Sequence, residues 1–290
     1  MTPRRLWLLG LSLAGALACA GRKAPPAVLD RQAPLPPSYG TYRVLLPPER
    51  GPEMRFPVLY FLHDYFGDSG ILWRTGVAEE LEHRMQTGRM PPLIVVAPDG
   101  GHDYWSDSFD GRVRYESWVA EGLRREIEHL YPALAERRAR AVAGISMGGF
   151  GALKLALRHP ELYAHAASLS GALLPLDWGF VQDASPFLRR DLVRIFGRSP
   201  AANNLAANDL RQLLRPPFPE GAPRLTLRCG TEDKYHLDEA AEAFGATARE
   251  AGLPVVVHLE PGGHNWRYWR TSLVEVIDEV ARTLTREGSR

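Results

Sequence analysis

The chain is most constrained by an alternation of short apolar runs with helical patterns, which begins near Tyr39 and continues towards the carboxyl terminus. Several of the apolar runs are nearly continuous, as is typical of strands buried on both faces of a parallel sheet. Parallel strands need crossover connections, and helical patterns at about 115–131, 147–158, 236–251 and 266–284 supply them. The alternation therefore predicts an α/β fold with helices on both faces of a mostly parallel central sheet. Its strands are expected at 41–47, 57–63, 92–98, 140–146, 164–171, 224–230 and 255–261.

The segment 172–222 interrupts this alternation after the fifth predicted strand. It contains several prolines and short helical patches such as FLRRDLVRIFG at 187–197. Open α/β sheets bind ligands outside the carboxyl ends of their strands, so we expect this insertion to lie over that edge. An inert surface excursion is the alternative.

The first twenty residues have the composition of an export signal. Two arginines precede an apolar core, and small residues follow it. The apolar run is shorter than the roughly 20 residues that span a bilayer. Cleavage after Ala20 would give a secreted or periplasmic protein, and cleavage before Cys19 would give a lipid-anchored one at the cell envelope. Residues 21–38 are rich in proline and predict an extended tether, which leaves 39–290 as the folded domain.

Charge and cysteine content exclude several classes of partner and fold. The 35 basic and 34 acidic side chains give a formal net charge of +1, so no broad field attracts nucleic acid or an anionic membrane. A lipid anchor at Cys19 is the only membrane attachment that we predict. Cys229 is the other cysteine of the chain, so the mature domain cannot form an internal disulfide and is held together by its core.

A G-x-S-x-G sequence at 144–148 lies where this motif has a mechanical meaning. A buried strand precedes it and a helical pattern follows it, so Ser146 is expected on a sharp strand-to-helix turn. Small residues at 144 and 148 leave room for that turn. The helix that follows directs its positive end towards the hydroxyl. Ser146 is therefore our candidate nucleophile. The similar GDSG at 67–70 lacks the closing glycine and the fold context of chymotrypsin-like proteases.

A serine hydroxyl needs a base, and His264 is the best placed of nine histidines. It lies in a glycine-opened loop between the last strand and the last helix. His63 and His102 also lie in loops at the expected edge and are minor rivals. The remaining histidines belong to helix ends, to strands or to a helical pattern, namely His83, His129, His159, His165, His236 and His258.

The acid that orients the base is expected after another strand and before the histidine. Asp233 and Glu232 both follow the strand at 224–230, and either could hold the imidazole. An acidic residue here could also cap a helix. In a hydrolase of this fold, backbone N–H groups form the oxyanion hole. Met147 follows the serine and provides one, and Tyr65 in the loop after the strand at 57–63 provides the other.

Five motifs together resemble the Putative esterase family of α/β-hydrolases. They are LYFLHD at 59–64, VAPDG at 96–100, GISMGGFGAL at 144–153, CGTED at 229–233 and PGGHNWRYW at 261–269. The family includes esterase D, S-formylglutathione hydrolases, feruloyl and acetylxylan esterases, enterochelin esterase and the mycolyltransferases. The resemblance implies an α/β-hydrolase fold over about residues 40–285. It also implies the following assignments: Ser146 as nucleophile, His264 as base, Asp233 rather than Glu232 as acid, and Tyr65 and Met147 as oxyanion donors.

Two features near these motifs bear on substrate binding. Many relatives have glycine where Asp64 stands, and a carboxylate next to a developing oxyanion is unfavourable unless it points away. Asp tolerates a left-handed backbone, so the loop shape can survive this change. Trp266 and Trp269 match an aromatic stretch after the family histidine, which either lines the site or packs the last helix.

The sequence thus predicts an exported serine carboxylic ester hydrolase that needs no metal or organic cofactor. An acyltransferase of the same fold and a non-catalytic binding module are the alternatives. The substrate is a small-molecule or polysaccharide-linked ester, and feruloylated or acetylated polysaccharide, siderophore esters and short acyl esters all stay open. S-formylglutathione is disfavoured because an exported enzyme would not meet this cytosolic thiol adduct. Specificity is expected in 172–222 and in the loops around Trp105 and Trp266.

Overall fold

The computed structural model describes residues 29–34, 39–215, 218 and 221–288. The predicted signal sequence, Cys19 and most of the predicted tether lie outside the described residues. Within the tether, Leu29–Pro34 differs from the expected free extended chain because it forms an edge strand that pairs antiparallel with Tyr39–Leu45. An extended backbone next to a sheet edge satisfies its hydrogen bonds by joining that edge.

One eight-stranded sheet forms the centre of the structure, and its order is β1-β2-β4-β3-β5-β6-β9-β10. The six strands from β4 to β10 in this order run parallel to one another. Strand β2 pairs antiparallel with β4, and β1 pairs antiparallel with β2. The mostly parallel sheet is therefore confirmed, and each predicted strand is present within two residues of its expected ends. The strands are β1 Leu29–Pro34, β2 Tyr39–Leu45, β3 Val58–Leu62, β4 Ile94–Pro98, β5 Arg140–Ile145, β6 His165–Leu169, β9 Arg224–Gly230 and β10 Val255–Glu260, and a separate hairpin joins β7 Gly197–Ser199 to β8 Ala202–Asn203.

Helices cover both faces of the sheet and create two hydrophobic cores. Alternate residues of β3 point to opposite cores: Val58 and Tyr60 to one, Leu59 and Phe61 to the other. Both faces are buried, which explains why the strand sequences are continuously apolar. The helices are α1 Ile71–Arg74, α2 Val77–Gln86, α3 Tyr115–Ser117, a π-helical turn Trp118–Leu123, α4 Arg124–Leu130, a 3-10 turn Arg137–Ala139, α5 Met147–Arg158, α6 Trp178–Asp183, α7 Pro186–Phe196, α8 Leu205–Asn208, α9 Leu210–Leu213, α10 Leu237–Glu250 and α11 Trp266–Gly288.

Helix α1 was not expected from the sequence pattern, and α2 contains His83, which was placed on a helical pattern whose bounds the sequence did not give. Helix α1 has only four residues. Helix α2 starts after Gly76, which has a positive φ of 76° and no side chain that could cap the helix. A start without a capping side chain leaves little local signal of where the helix begins.

The described part of the insertion 172–222 lies over the carboxyl edge of the sheet, as predicted, and it is more helical than expected. Ser185 caps α7, and Pro186 occupies its first turn. The far end of α7 is attached to the loop after β4, because Phe109 N–H donates to the Ile195 carbonyl at 2.6 Å. The insertion is thus fixed to a loop that leaves the carboxyl end of a parallel strand.

His165 is buried in β6 and makes stability depend on pH. Thr226 donates to Glu279 Oε1 at 2.9 Å, so His165 Nε2 donates to Thr226 Oγ1 at 3.0 Å, and its Nδ1 has no partner among the described residues. Burial, helped by nearby Arg224, lowers the pKa of His165 to about 3. The folded chain therefore binds fewer protons than the unfolded chain below pH 6.5.

We expect the free energy of unfolding to be fully retained above pH 6.5 and to fall as the pH drops towards 3. The contribution from His165 is about 2 kcal/mol between pH 7 and pH 5. His165→Gln keeps a donor towards Thr226 and removes the titration, so its unfolding free energy should fall less over the same range. Urea unfolding at both pH values measures this difference. An equal loss of unfolding free energy between pH 7 and pH 5 in the two proteins would contradict this role of His165.

Candidate active site

Ser146 occupies the turn between β5 and α5 in a strained backbone conformation. Its φ is 53° and its ψ is −114°, a region that residues other than glycine rarely adopt. The turn is held on both sides: Ser146 N–H donates to the Leu169 carbonyl at 2.9 Å, and the Ser146 carbonyl accepts from Phe150 N–H at 3.1 Å. The hydroxyl is therefore presented at the carboxyl edge of the sheet, at the start of α5.

The two glycines of the motif provide the clearance that this turn needs. A Cβ atom at Gly144 would lie 2.3 Å from the Gly148 carbonyl group. A Cβ atom at Gly148 would lie 2.0 Å from the Leu62 carbonyl oxygen. These contacts are to backbone atoms, which cannot move away as a flexible side chain can. The helix start is therefore packed directly on the end of β3.

Gly148→Ala is expected to lower the free energy of unfolding by about 1–3 kcal/mol, because overpacking shifts backbone atoms. Urea unfolding measures this loss. Gly51→Ala is the matched control, since its Cβ atom would meet only the Met54 side chain at 3.5 Å. If the two variants unfold at the same urea concentration, the result would contradict the close packing of the α5 start on the end of β3.

Three side chains from three segments form one hydrogen-bonded chain. His264, in the loop between β10 and α11, has its Nε2 3.0 Å from Ser146 Oγ and its Nδ1 2.7 Å from Asp233 Oδ2. Asp233 follows β9, and its Oδ1 accepts from Tyr235 N–H at 2.9 Å. A carboxylate accepts hydrogen bonds, so Nδ1 carries the proton and Nε2 is free to accept from the serine hydroxyl.

Burial separates the acid of this chain from water. The side chain of Asp233 is completely buried, and that of His264 is 9% exposed. Below Asp233, the Cys229 sulfur lies 3.7 Å from Oδ2. Burial, followed by the charge of Asp233, raises the pKa of Cys229 to about 12. Cys229 therefore stays a thiol near neutral pH and does not act as a competing thiolate nucleophile.

The alternative candidates for the base and the acid, His63, His102 and Glu232, make other contacts. His63 is buried, and its two ring nitrogens contact the Asp64 carbonyl at 2.7 Å and Gly100 N–H at 2.9 Å. His102 stacks on Tyr65 at 4.6 Å between ring centroids, and its Nδ1 lies 3.6 Å from Asp191. Glu232 is exposed. The structure brings Asp233, and none of these three, into the chain with Ser146 and His264.

The predicted oxyanion donors belong to neighbouring segments. Met147 is the first residue of α5, so its N–H has no carbonyl one turn earlier. Leu62 pairs with Gly144 between β3 and β5, which brings the loop with Tyr65 beside the serine turn. Among the described residues, Tyr65 N–H donates to no backbone carbonyl. Two unused N–H groups near one serine are suited to hold a developing negative charge.

Asp64 keeps the loop shape without a left-handed backbone, contrary to the reason given from sequence. It is absent from the positive-φ residues of the described chain. Its carbonyl accepts from Gly67 N–H at 3.0 Å, which closes a turn. A Cβ atom at Gly67 would lie 2.7 Å from Asp64 Oδ1, so the carboxylate lies over that glycine.

The two tryptophans after His264 differ in exposure. Trp269 is 4% exposed, and its Nε1 donates to Ser170 Oγ at 3.0 Å. Its ring meets the His264 ring edge-on at 4.7 Å, so it packs against the imidazole. Trp266 is half-buried against Trp269, and its contact with substrate stays a prediction. Trp105 is also fully buried, so its loop can contribute to a site only through other side chains.

Sequence reasoning missed Ser170, which directly follows β6, and Asp191 of α7; Ser170 bonds Trp269, and Asp191 bonds Tyr65. Neither belongs to a motif, and a polar residue on an amphipathic helix resembles any exposed one. Within the described chain, no group of three His, Cys, Asp or Glu side chains is arranged to hold a metal ion. The described helices also include none that is both long and apolar enough to cross a membrane.

A parallel sheet flanked by helices, with a serine on a strand-to-helix turn and an insertion over the edge, defines an α/β-hydrolase. The family model described as Putative esterase matches residues 38–279, and the chain belongs to this family. It is a carboxylic ester hydrolase.

Known proteins agree with this class. An acetyl esterase of Caldicellulosiruptor saccharolyticus is 25% identical over 235 residues, which are 77% of this chain and 83% of the relative. The solved structure of a ferulic acid esterase superposes with a TM-score of 0.74 at 22% identity, covering 89% of this chain and 98% of that one. A fluorophosphonate-binding serine hydrolase of Staphylococcus aureus superposes with a TM-score of 0.73 at 20% identity, covering 89% and 99%.

Proposed function

We propose that the protein hydrolyses carboxylic esters through a Ser146–His264–Asp233 triad and an acyl-enzyme intermediate. The observation that carries this proposal is the continuous hydrogen-bonded chain of 3.0 Å and 2.7 Å between the three side chains. The strained turn at Ser146 supports it, because strain of this kind persists where surrounding structure imposes it for function.

The reaction has two steps. Ser146 Oγ attacks the ester carbonyl carbon while His264 Nε2 accepts the hydroxyl proton. The bond to the alcohol oxygen then breaks, and His264 returns the proton to the departing alcohol. In the second step His264 deprotonates a water molecule, the hydroxide attacks the acyl-enzyme, and Ser146 regains its proton as the acid leaves. Asp233 stabilises the imidazolium in both steps.

The tetrahedral intermediates of both steps carry a negative oxygen. The Met147 and Tyr65 N–H groups are proposed to hold it, and the positive end of the twelve-residue helix α5 adds to their field. Asp64 lies next to Tyr65, but its Oδ1 is packed over Gly67. Oδ1 is buried there without a hydrogen-bond partner among the described residues.

Two assays test the proposal. A fluorophosphonate probe should label the protein with loss of fluoride, and the label should map to Ser146. A panel of p-nitrophenyl esters from acetyl to octanoyl, with a feruloyl ester beside them, should be hydrolysed and should reveal acyl preference. The names of the similar proteins suggest acetyl and feruloyl groups as starting points. A protein that is neither labelled nor active would be a binding module.

A second experiment addresses acyl transfer. Hydrolysis and transfer differ only in whether water or another alcohol attacks the acyl-enzyme. Adding a sugar or glycerol acceptor to the ester assay and analysing products by mass spectrometry separates them. We expect free acid as the main product, and a dominant transfer product would reassign the enzyme as an acyltransferase.

Export and domain organisation are further parts of the proposal. We propose a signal sequence at 1–20, a proline-rich tether and a hydrolase domain, with the enzyme secreted, periplasmic or lipid-anchored through Cys19. The support is the charged, apolar and small-residue order of the first twenty residues. The mass of the mature amino terminus separates the two cleavage sites. A chain that retains Met1 in the cytoplasm of its native cell would refute export.

A further inference from the structure

Asp191 is a buried carboxylate that joins the insertion to the loop of the proposed oxyanion hole. It lies on α7 and is only 3% exposed. Tyr65, which follows β3, donates its hydroxyl to Asp191 Oδ2 at 2.5 Å. The two residues are 126 positions apart in the chain. This bond therefore connects the loop after β3, at the edge of the sheet, to helix α7 of the insertion.

Two arginines of α7 and a histidine ring from another loop surround the same carboxylate. His102 Nδ1 lies 3.6 Å from Oδ2, while Arg190 Nε and the Arg194 guanidinium lie 3.4 Å and 3.7 Å from Oδ1. Arg194 also pairs with Asp103. The carboxylate is thus balanced by nearby cations, which is the condition for keeping a charge in a buried position.

Tyr65 is held by its ring as well as by its hydroxyl. The ring stacks on His102 with an interplanar angle of 19°, and Phe187 of α7 meets it edge-on at 5.9 Å. Burial and the bond to Asp191 raise the pKa of the Tyr65 hydroxyl, so it stays a donor at all working pH values. The next residue, Phe66, is 82% exposed and gives the loop little support.

We propose that Asp191 is a positioning residue that sets the Tyr65 backbone N–H of the oxyanion hole by anchoring the Tyr65 side chain. This inference rests on the proposed function, because it concerns the same hole. An oxyanion donor is effective only when it lies about 2.7–3.1 Å from the developing negative oxygen. The turn closed by Gly67 N–H and the Asp64 carbonyl gives the loop its shape, and the bond from Tyr65 to Asp191 holds the Tyr65 side chain against α7. The insertion thereby acts on catalysis itself as well as on the shape of the cleft.

The experiment compares Asp191→Ala, Asp191→Asn, Tyr65→Phe and the double variant Tyr65→Phe/Asp191→Ala. Losing an oxyanion donor costs about 100–1,000-fold in kcat, so a loosened donor should cost about tenfold, with KM for p-nitrophenyl acetate nearly unchanged. An aryl trifluoromethyl ketone, which adds to the serine and forms the oxyanion, should bind more weakly by a similar factor. Asn keeps an acceptor for Tyr65, so Asp191→Asn should recover part of the loss.

The control is Asp209→Ala, which removes another carboxylate of the insertion that is 5% exposed and pairs with Arg211. It should retain the wild-type kcat and inhibitor affinity. Tyr65→Phe removes only a hydroxyl and keeps the test informative if an Asp191 variant folds poorly. The kcat of the double variant should be no lower than that of the slower single variant, since both substitutions break the same contact.

Additive losses in the double variant would overturn the inference, as would an Asp191→Ala enzyme as fast as the control. A fall in kcat that leaves the ketone affinity unchanged would also overturn it. A wild-type protein without esterase activity or fluorophosphonate labelling would instead refute the proposed function. Active wild type with unaffected variants refutes only the role of Asp191.

Discussion

Replacing Ser146 with alanine is expected to reduce kcat for ester hydrolysis by about 10⁵- to 10⁶-fold. Alanine removes the side-chain oxygen that His264 Nε2 contacts at 3.0 Å, so neither attack nor acyl-enzyme formation can occur at this position. Only the oxyanion hole and substrate binding would remain, and these give a small residual rate. Initial rates with p-nitrophenyl acetate measure the loss, and the fluorophosphonate label should disappear with it.

Ser69→Ala is the matched control for this result. Ser69 belongs to the GDSG sequence at 67–70, which resembles a protease motif but leads into α1. Asp68 of that sequence binds Gly70 N–H and Arg74, so it closes a turn. Ser69→Ala should keep its activity and its label. A Ser146→Ala protein that folds normally and retains more than about one hundredth of the rate would contradict the nucleophile assignment.

The fold was predictable because the central strands of its sheet are buried on both faces. Val58–Leu62 and Ile94–Pro98 are buried at every position, so their sequences carry a continuous apolar signal. The candidate site was predictable for a related reason. Ser146, Asp233 and His264 each follow a parallel strand, and the carboxyl ends of parallel strands meet at one edge. Order along the chain was therefore enough to place Ser146, His264 and one acid at that edge, and the resemblance to the esterase family favoured Asp233 over Glu232 as the acid.

What the sequence did not predict depends on contacts between distant segments. Asp191 lies on an amphipathic helix, and nothing in the local pattern distinguishes a buried carboxylate from an exposed one. Its burial depends on Tyr65 and His102 from other loops. Trp269 had two possible roles because an aromatic residue at a helix start can face a cleft or a core. Its bond to Ser170 favours packing against the core, and that bond exists only in the folded chain.

Asp233→Asn should lower kcat by about 10³- to 10⁴-fold while leaving the fold intact. The reason lies in two donors that face one carboxylate. Tyr235 N–H donates to Oδ1 at 2.9 Å, and His264 Nδ1 donates to Oδ2 at 2.7 Å. An amide has only one oxygen. If that oxygen stays with Tyr235, the NH₂ group faces Nδ1, which must then accept, and the proton moves to Nε2.

An imidazole with its proton on Nε2 cannot accept the proton of Ser146, so the variant has the wrong tautomer for attack. The opposite amide orientation sets two donors against each other at Tyr235, which costs stability. Glu232→Gln is the control, because Glu232 is exposed and its side chain lies outside the hydrogen-bonded chain. It should hydrolyse p-nitrophenyl acetate at the wild-type rate. If Glu232→Gln were the slower enzyme, the acid would be Glu232, and the buried Asp233 would serve only to close the turn after β9.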